Sequence, residues 1–201
     1  MKKHFIYFIA VATTMVATAL NAANNNDNGV ENDTASIQIT MTTKDVEVQL
    51  LLLGGGRANG KAFIDWGDDL PTDTVTLWVS GGWSGPRHTY TTDKDEHIIT
   101  ITGDNIYGLV CFDNKLTNLK VSNNNTIKIL DCTGNQLSAA ALNDLFETLP
   151  NNSSGGRRDI TIARNPGESD CNIVIAQAKG WTVSVSGSRT GTLIQAPNRR
   201  E

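Results

Sequence analysis

The chain has 201 residues with 17 basic and 21 acidic side chains, a formal charge of −4. That balance argues against nucleic acid, whose phosphates are met by clustered Lys and Arg. Three cysteines rule out a fully paired disulfide framework, so packing must hold the fold.

Met1-Lys2-Lys3-His4 and the uncharged run that follows have the basic start and short apolar core of a secretory signal. Ala17-Thr18-Ala19 fits an A-x-A cleavage site and Ala22 offers another, which gives a predicted signal peptide over residues 1–22. The run is diluted by Thr and Ala and falls short of the roughly 20 strongly apolar residues of a membrane span. No cysteine near it offers a lipid acceptor, so the mature chain is expected to be exported and not membrane-spanning. The 17 basic residues less Lys2 and Lys3, against 21 acidic ones, leave −6 after cleavage.

Residues 23–36 are rich in Asn, Asp and Gly and read as a flexible leader. From Ile37 the pattern alternates: Ile37, Ile39 and Met41, then Val46, Val48, Leu50 and Leu52, the period of half-buried strands, here taken as a first hairpin. Further β runs at 61–66, 74–79, 87–91 and 97–102 lie between Gly, Pro, Asp and Ser clusters, the spacing of a sandwich.

Within this stretch Ile64-Asp65-Trp66-Gly67-Asp68-Asp69, then His88-Thr89-Tyr90 and a strand over 98–102, resemble the PKD-like immunoglobulin-type domain, marked by a W-G-D-G turn and an H-x-Y before the last strand. Asp69 replaces the usual Gly, and Asp tolerates left-handed backbone better than most residues. The resemblance implies that Trp66 fills the space between sheets and that the acidic turn caps backbone amides.

Leu109-Val110-Cys111-Phe112-Asp113-Asn114-Lys115-Leu116 returns 21 residues later as Leu130-Asp131-Cys132-Thr133-Gly134-Asn135-Gln136-Leu137, both L-x-C-x-x-N-x-L. A fixed period of this kind is that of a coiling chain in which each turn buries its apolar positions against the next. Ile99 and Ile101 precede the first copy as Leu119 and Val121 precede the second, so the last sandwich strand should run into the first coil and share its core. Two coils are too few to stand alone. A cap is predicted after them: a helix over 139–149 opened by Ser138, a strand over 159–163, a turn at Asn165-Pro166-Gly167, a helix with Cys171, Val174, Ile175 and Ala178 on one face, and a strand carrying Trp181, Val183 and Val185.

The repeats, the helix and the Asn165-Pro166-Gly167 turn resemble the short leucine-rich-repeat proteins exported by Gram-negative gut and oral anaerobes, often joined to a PKD-like domain. The expected fold is mainly β: a PKD-like β-sandwich over 37–103, a short leucine-rich-repeat solenoid with an α/β C-terminal cap over 104–186, and a polar tail over 187–201. The resemblance implies a secreted, cell-surface or periplasmic protein of a Gram-negative bacterium. It also points to Asp33-Thr34-Ala35 and Asp73-Thr74-Val75 as candidate O-glycosylation sequons.

Little suggests catalysis. Cys111 and Cys132 should stack inside the solenoid about 4.8 Å apart as small hydrophobes, with no zinc-type ligand spacing nearby. Asp65, Asp68, Asp69, Asp93, Asp95 and Glu96 lack EF-hand spacing and read as solvated turn acids. Nothing sets Asp65 and Glu96 at a glycosidase separation, and neither His88 nor His97 adjoins a motif such as G-x-S-x-G. No catalytic residue, cofactor or metal site is therefore expected. Trp78 is expected to face the core, and Trp83, in Gly81-Gly82-Trp83-Ser84-Gly85, to be exposed. The predicted function is recognition of a protein or extracellular-matrix partner through Val110, Phe112, Asp131 and Thr133, with Trp83 as anchor. Glycan capture by the Trp83 loop and a structural part in a surface assembly are the alternatives.

Overall fold

The computed structural model describes residues 37–55, 59–78, 82–91, 94–122, 124–153 and 155–186; the expected signal peptide, leader and polar tail lie outside the described residues. The fold is mainly β. The elements are β1 (Ile37–Thr43), β2 (Glu47–Gln49), β3 (Leu51–Gly54), β4 (Gly60–Asp65), β5 (Asp73–Leu77), β6 (Trp83–Ser84), β7 (Arg87–Thr89), β8 (His97–Gly103), β9 (Ile106–Val110), β10 (Leu116–Ser122), β11 (Ile129–Asp131), α1 (Ala139–Thr148), β12 (Asp159–Thr161), α2 (Val174–Ala178) and β13 (Thr182–Ser184). They form an antiparallel sheet in the order β10-β1-β8-β4-β5, a mixed sheet in the order β13-β12-β11-β9-β3-β6, and a β2-β7 pair. No described helix is long and apolar enough to cross a membrane.

Alternation decides which side of each strand is buried. Ile39 and Met41 of β1, Ile99 and Ile101 of β8, and Leu52 of β3 are all at or near zero exposure and belong to one apolar core. The first hairpin expected from residues 37–52 does not form. β1 pairs with β8 and β10, whereas β2 pairs with β7 and β3 with β9 and β6. A period of two states the buried face but not the partner, and Lys44-Asp45-Val46 carries the chain from one sheet to the other.

β8 and β10 lie on either side of β1 in the first sheet, and each continues into a strand of the second: β8 through Asp104-Asn105 into β9, β10 into β11. The helices take over this part in the next two passes, α1 leading into β12 and α2 into β13, so β9, β11, β12 and β13 form a parallel ladder of four. Leu109, Leu130 and Ile160 stand opposite one another in register, and the following Cys111, Cys132 and Ile162 are fully buried. The third copy of the pattern, Ile160-x-Ile162-x-x-Asn165-x-Gly167, escapes a search for a fixed period. It starts 30 residues after Leu130, because α1 is longer than β10, and Ile replaces Cys.

At the bend that ends each pass an asparagine turns inward. Asn114, Asn135 and Asn165 are 2%, 4% and 6% exposed. Asn135 Oδ1 accepts from the amides of Asn114 and Leu116, both at 3.0 Å, and its Nδ2 donates to the carbonyls of Cys111 and Cys132, both at 2.9 Å. Asn165 repeats this one pass later, accepting from Leu137 N at 3.1 Å and donating to Cys132 O and Ile162 O at 2.9 Å. Asn114 instead reaches Gln49, bonding both its amide and its carbonyl at 3.0 Å, which fastens the first bend to β2. The residue before each asparagine, Asp113, Gly134 and Arg164 in turn, has φ of +53°, +69° and +59°. Glycine fits the middle position for a further reason: a Cβ on Gly134 would lie 1.9 Å from Asp113 Oδ1, beneath the 3.3 Å ion pair of Asp113 with Arg164.

α1 begins where expected. Ser138 Oγ accepts from Ala141 N at 3.2 Å, and Leu142, Leu145, Phe146 and Leu149 are buried. The helix packs on β10, and Thr148 Oγ1 accepts from Val121 N at 3.0 Å, which covers an edge amide of the first sheet. The second cap helix differs from expectation. α2 spans only five residues, Val174 is 61% exposed, Ala178 is exposed, and the buried position is Ala176. Cys171 sits in the preceding turns, so it does not share a helical face with Val174 and Ile175, and the phase of the apolar stripe shifts.

The asparagine bends should carry a large share of the stability. Asn135→Ala leaves several buried backbone groups without partners, and we expect a loss of about 3 kcal/mol in urea unfolding. The exposed neighbour change Gln136→Ala should stay within about 0.5 kcal/mol; equal effects of the two would show that the bend amide is not holding the ladder.

Candidate functional surface

The residues of the W-G-D turn do meet. Trp66 is buried, its Nε1 donates to Asp73 Oδ2 at 2.8 Å, and its carbonyl accepts from the Tyr90 hydroxyl at 2.8 Å. His88 stacks on Trp66 with ring centroids 4.8 Å apart, Tyr90 meets His88 edge-on at 4.7 Å, and His97 stacks on Tyr90 at 3.5 Å. Asp65 Oδ1 and Asp68 Oδ1 accept from the amides of Gly67 and Leu70, and Asp69 has φ of +65°, the left-handed geometry for which its side chain is suited. This arrangement closes a sandwich corner. Its carboxylates are committed to local amides, to His88 and to Lys94, which lies 3.5 Å from Asp69. Asp93 lies outside the described residues, and among those described no three His, Cys, Asp or Glu side chains gather as metal ligands.

Burial raises the Asp68 carboxyl, but the His88 Nε2 hydrogen bond at 2.7 Å, the Leu70 amide and the His88 charge outweigh it and hold the group below its ordinary value. Tyr90 is pushed up, first by burial and then by the charges of Asp68 and Asp65. The thiols of Cys111 and Cys132 are raised, mainly by burial, and each Sγ points at the carbonyl of the next strand, Asp131 O at 3.5 Å and Thr161 O at 3.4 Å. They occupy equivalent layers of the ladder as small buried side chains. Cys171 is half-buried and also raised, first by burial.

The outward positions of the ladder sheet hold the residues singled out for binding. Register places Leu51, Val110, Asp131, Thr161 and Ser184 in one row across the sheet. Trp83, Leu53, Gly108, Ile129, Asp159 and Thr182 form the next row. Phe112 and Thr133 follow at the bends and are half-buried. Leu51, Leu53, Trp83, Val110, Phe112 and Ile129 are absent from the core cluster, so they form a separate apolar group on the other face of the sheet.

Two expectations need correction. Val110, expected as a contact residue, is 3% exposed, in register between Leu51 and Asp131; it forms a floor rather than a contact. The two tryptophans exchange places: Trp78 is 49% exposed, whereas Trp83 is half-buried in β6, with its ring against Gly108. A Cβ on Gly108 would lie 2.9 Å from that ring, so the close approach depends on glycine there. Asp131 and Thr133 are half-buried, and Asp131 Oδ1 accepts from Thr133 N at 3.0 Å. Leu51, Leu53 and Ile129 belong to the same surface and went unnoticed in the sequence; for the two leucines the signal was the unbroken run Leu50-Leu51-Leu52-Leu53, which puts apolar side chains on both faces of a strand. No family model matches the chain, and no curated protein or solved structure matches it either.

The Asp68 carboxyl titrates lower in the folded chain than in the unfolded one, so its stabilisation is present above the unfolded value, near pH 4, and is lost as pH falls through the folded value. The urea midpoint of the native protein should therefore drop more steeply below pH 4 than that of Asp68→Asn; parallel curves would remove this role. In thiol labelling of the native protein Cys171 should react first and slowly, while Cys111 and Cys132 should react only on unfolding. Early labelling at either ladder cysteine would contradict their placement.

Proposed function

We propose that the protein is a non-catalytic recognition module working outside the cytoplasm of a Gram-negative bacterium, and that it binds a protein or extracellular-matrix partner through the outward face of the ladder sheet. The observation that carries this reading is the half-buried apolar group of Leu51, Leu53, Trp83, Ile129 and Phe112 beside Val110, which stands apart from the core cluster on outward positions of the ladder sheet. A contiguous apolar surface beside polar positions is the composition of a protein contact. The leucine-rich-repeat reading of 104–186 is supported by the in-register Leu and Ile positions and the inward asparagines. The PKD-like reading of 37–103 is supported by the Trp66, Asp68, His88 and Tyr90 corner.

Glycan capture is the second reading, and exposure moves it from Trp83 to Trp78, whose half-open ring suits stacking on a sugar. An array of matrix proteins, mucins and purified glycans probed with residues 23–201 separates the two. Phe112→Ala combined with Ile129→Ala should weaken a protein signal by about tenfold or more while Trp78→Ala leaves it unchanged. A signal confined to glycans and removed by Trp78→Ala would sink the protein-binding reading.

A further inference from the structure

The charge on this face is one-sided. Its outward strand positions hold two carboxylates, Asp131 and Asp159, and no Lys or Arg. Asp159 is matched by Arg157, whose Nε lies 2.7 Å from Oδ2. At the bends, Arg164 is engaged with Asp113. Asp131 has neither kind of match: its Oδ1 holds the amide of Thr133 in its own turn, and among the described residues no basic side chain pairs with it. It stands in register between Val110 and Thr161, at the border where the apolar half of the face meets the hydroxyl half.

A partner that covers the apolar half draws water away from this carboxylate. Burying it without a counter-charge is costly, and supplying one turns that cost into selectivity. A second copy of the chain would have to give up the Arg157–Asp159 or the Arg164–Asp113 pair to supply it through the same face. We propose that the occupant is a different polypeptide, whose docking segment sets a Lys or Arg against Asp131 beside a large apolar side chain seated over Val110 between Leu51, Ile129 and Phe112. This rests on the recognition reading above and adds the chemistry of the partner.

Two blocked tripeptides, Leu-Arg-Leu and Leu-Glu-Leu, titrated into the full chain and followed by amide shifts at Val110, Ile129 and Asp131, test it. The arginine peptide should shift these amides and bind about fivefold more tightly than the glutamate one, as one charge-assisted contact allows. Asp131→Asn keeps the acceptor for Thr133 N and should bring the two peptides within about twofold; an unchanged urea midpoint confirms that this variant folds. Equal shifts from both peptides would overturn the basic-partner proposal and leave an apolar recognition face standing. No shift from either overturns the proposal and counts against the face itself. Concentration-dependent masking of the same amides without peptide overturns it in favour of self-association.

Discussion

Everything in the ladder depends on satisfying the backbone at its bends. A parallel stack closes its core by turning the chain sharply at the end of every strand, and each turn carries amides and carbonyls into an interior with no water to receive them. One carboxamide per turn answers this. It accepts and donates at once, and the spacing of its partners, for Asn135 three bonds back into the previous bend and one into its own, ties successive passes together. A hydroxyl has too few donors for this, and a carboxylate has none. The left-handed residue before each asparagine follows from the same geometry, which directs the side chain inward. Where the series ends, Glu168 takes over: its carboxylate accepts from Arg164 N and from the amide and hydroxyl of Ser186, and these bonds hold it below the ordinary carboxylate range despite burial. An acid serves there because only donors are left to satisfy.

The first bend makes the two halves of the chain one structure. Asn114 has no earlier coil to bond and takes Gln49 instead, while the Thr43 hydroxyl donates to the Asn114 carbonyl at 2.6 Å. β1 then inserts between β8 and β10, so the return strands of the first two passes belong to a sheet that the N-terminal residues also build. Two strand returns and two helix returns produce four parallel rungs, with β3 sealing the other side in antiparallel pairing. The shortage of repeats is met from both ends, which is why so short a stack has a continuous core.

What could be read from the residues follows the range of the interaction. The Ser138 cap and the Asp65 and Asp68 turn bonds depend on neighbours within a few residues, and the L-x-C-x-x-N pattern was legible because it recurs at a fixed period. Partner choice was not: alternation in β1 states burial but is silent on whether β3 or β8 lies beside it. The third rung was hidden by a change in return length, since a helix and a strand of different lengths serve the same step. The tryptophans were misjudged because a glycine-rich loop suggests exposure, whereas the decisive glycine, Gly108, lies on another strand and opens space for the Trp83 ring. The candidate surface was half legible. Phe112, Asp131 and Thr133 came from the repeat, but Leu51, Leu53 and Ile129 join them only through register.

The ladder sheet also contains its own control for that surface. Outward positions on β12 and β13 are filled by Asp159, Thr161, Thr182 and Ser184, side chains that complete a strand while facing water. Those on β3, β6, β9 and the start of β11 belong to the same sheet, face the same side and are Leu, Trp, Val and Ile. Cross-strand packing alone does not demand this, because the hydroxyl half keeps its parallel register without large apolar side chains on the outer face. The inward side chains already form the core, so the outward apolar ones add little to it and leave a surface that water solvates poorly. Folding therefore accounts for the inner face of every rung. It leaves the apolar half of the outer face without a part in the core.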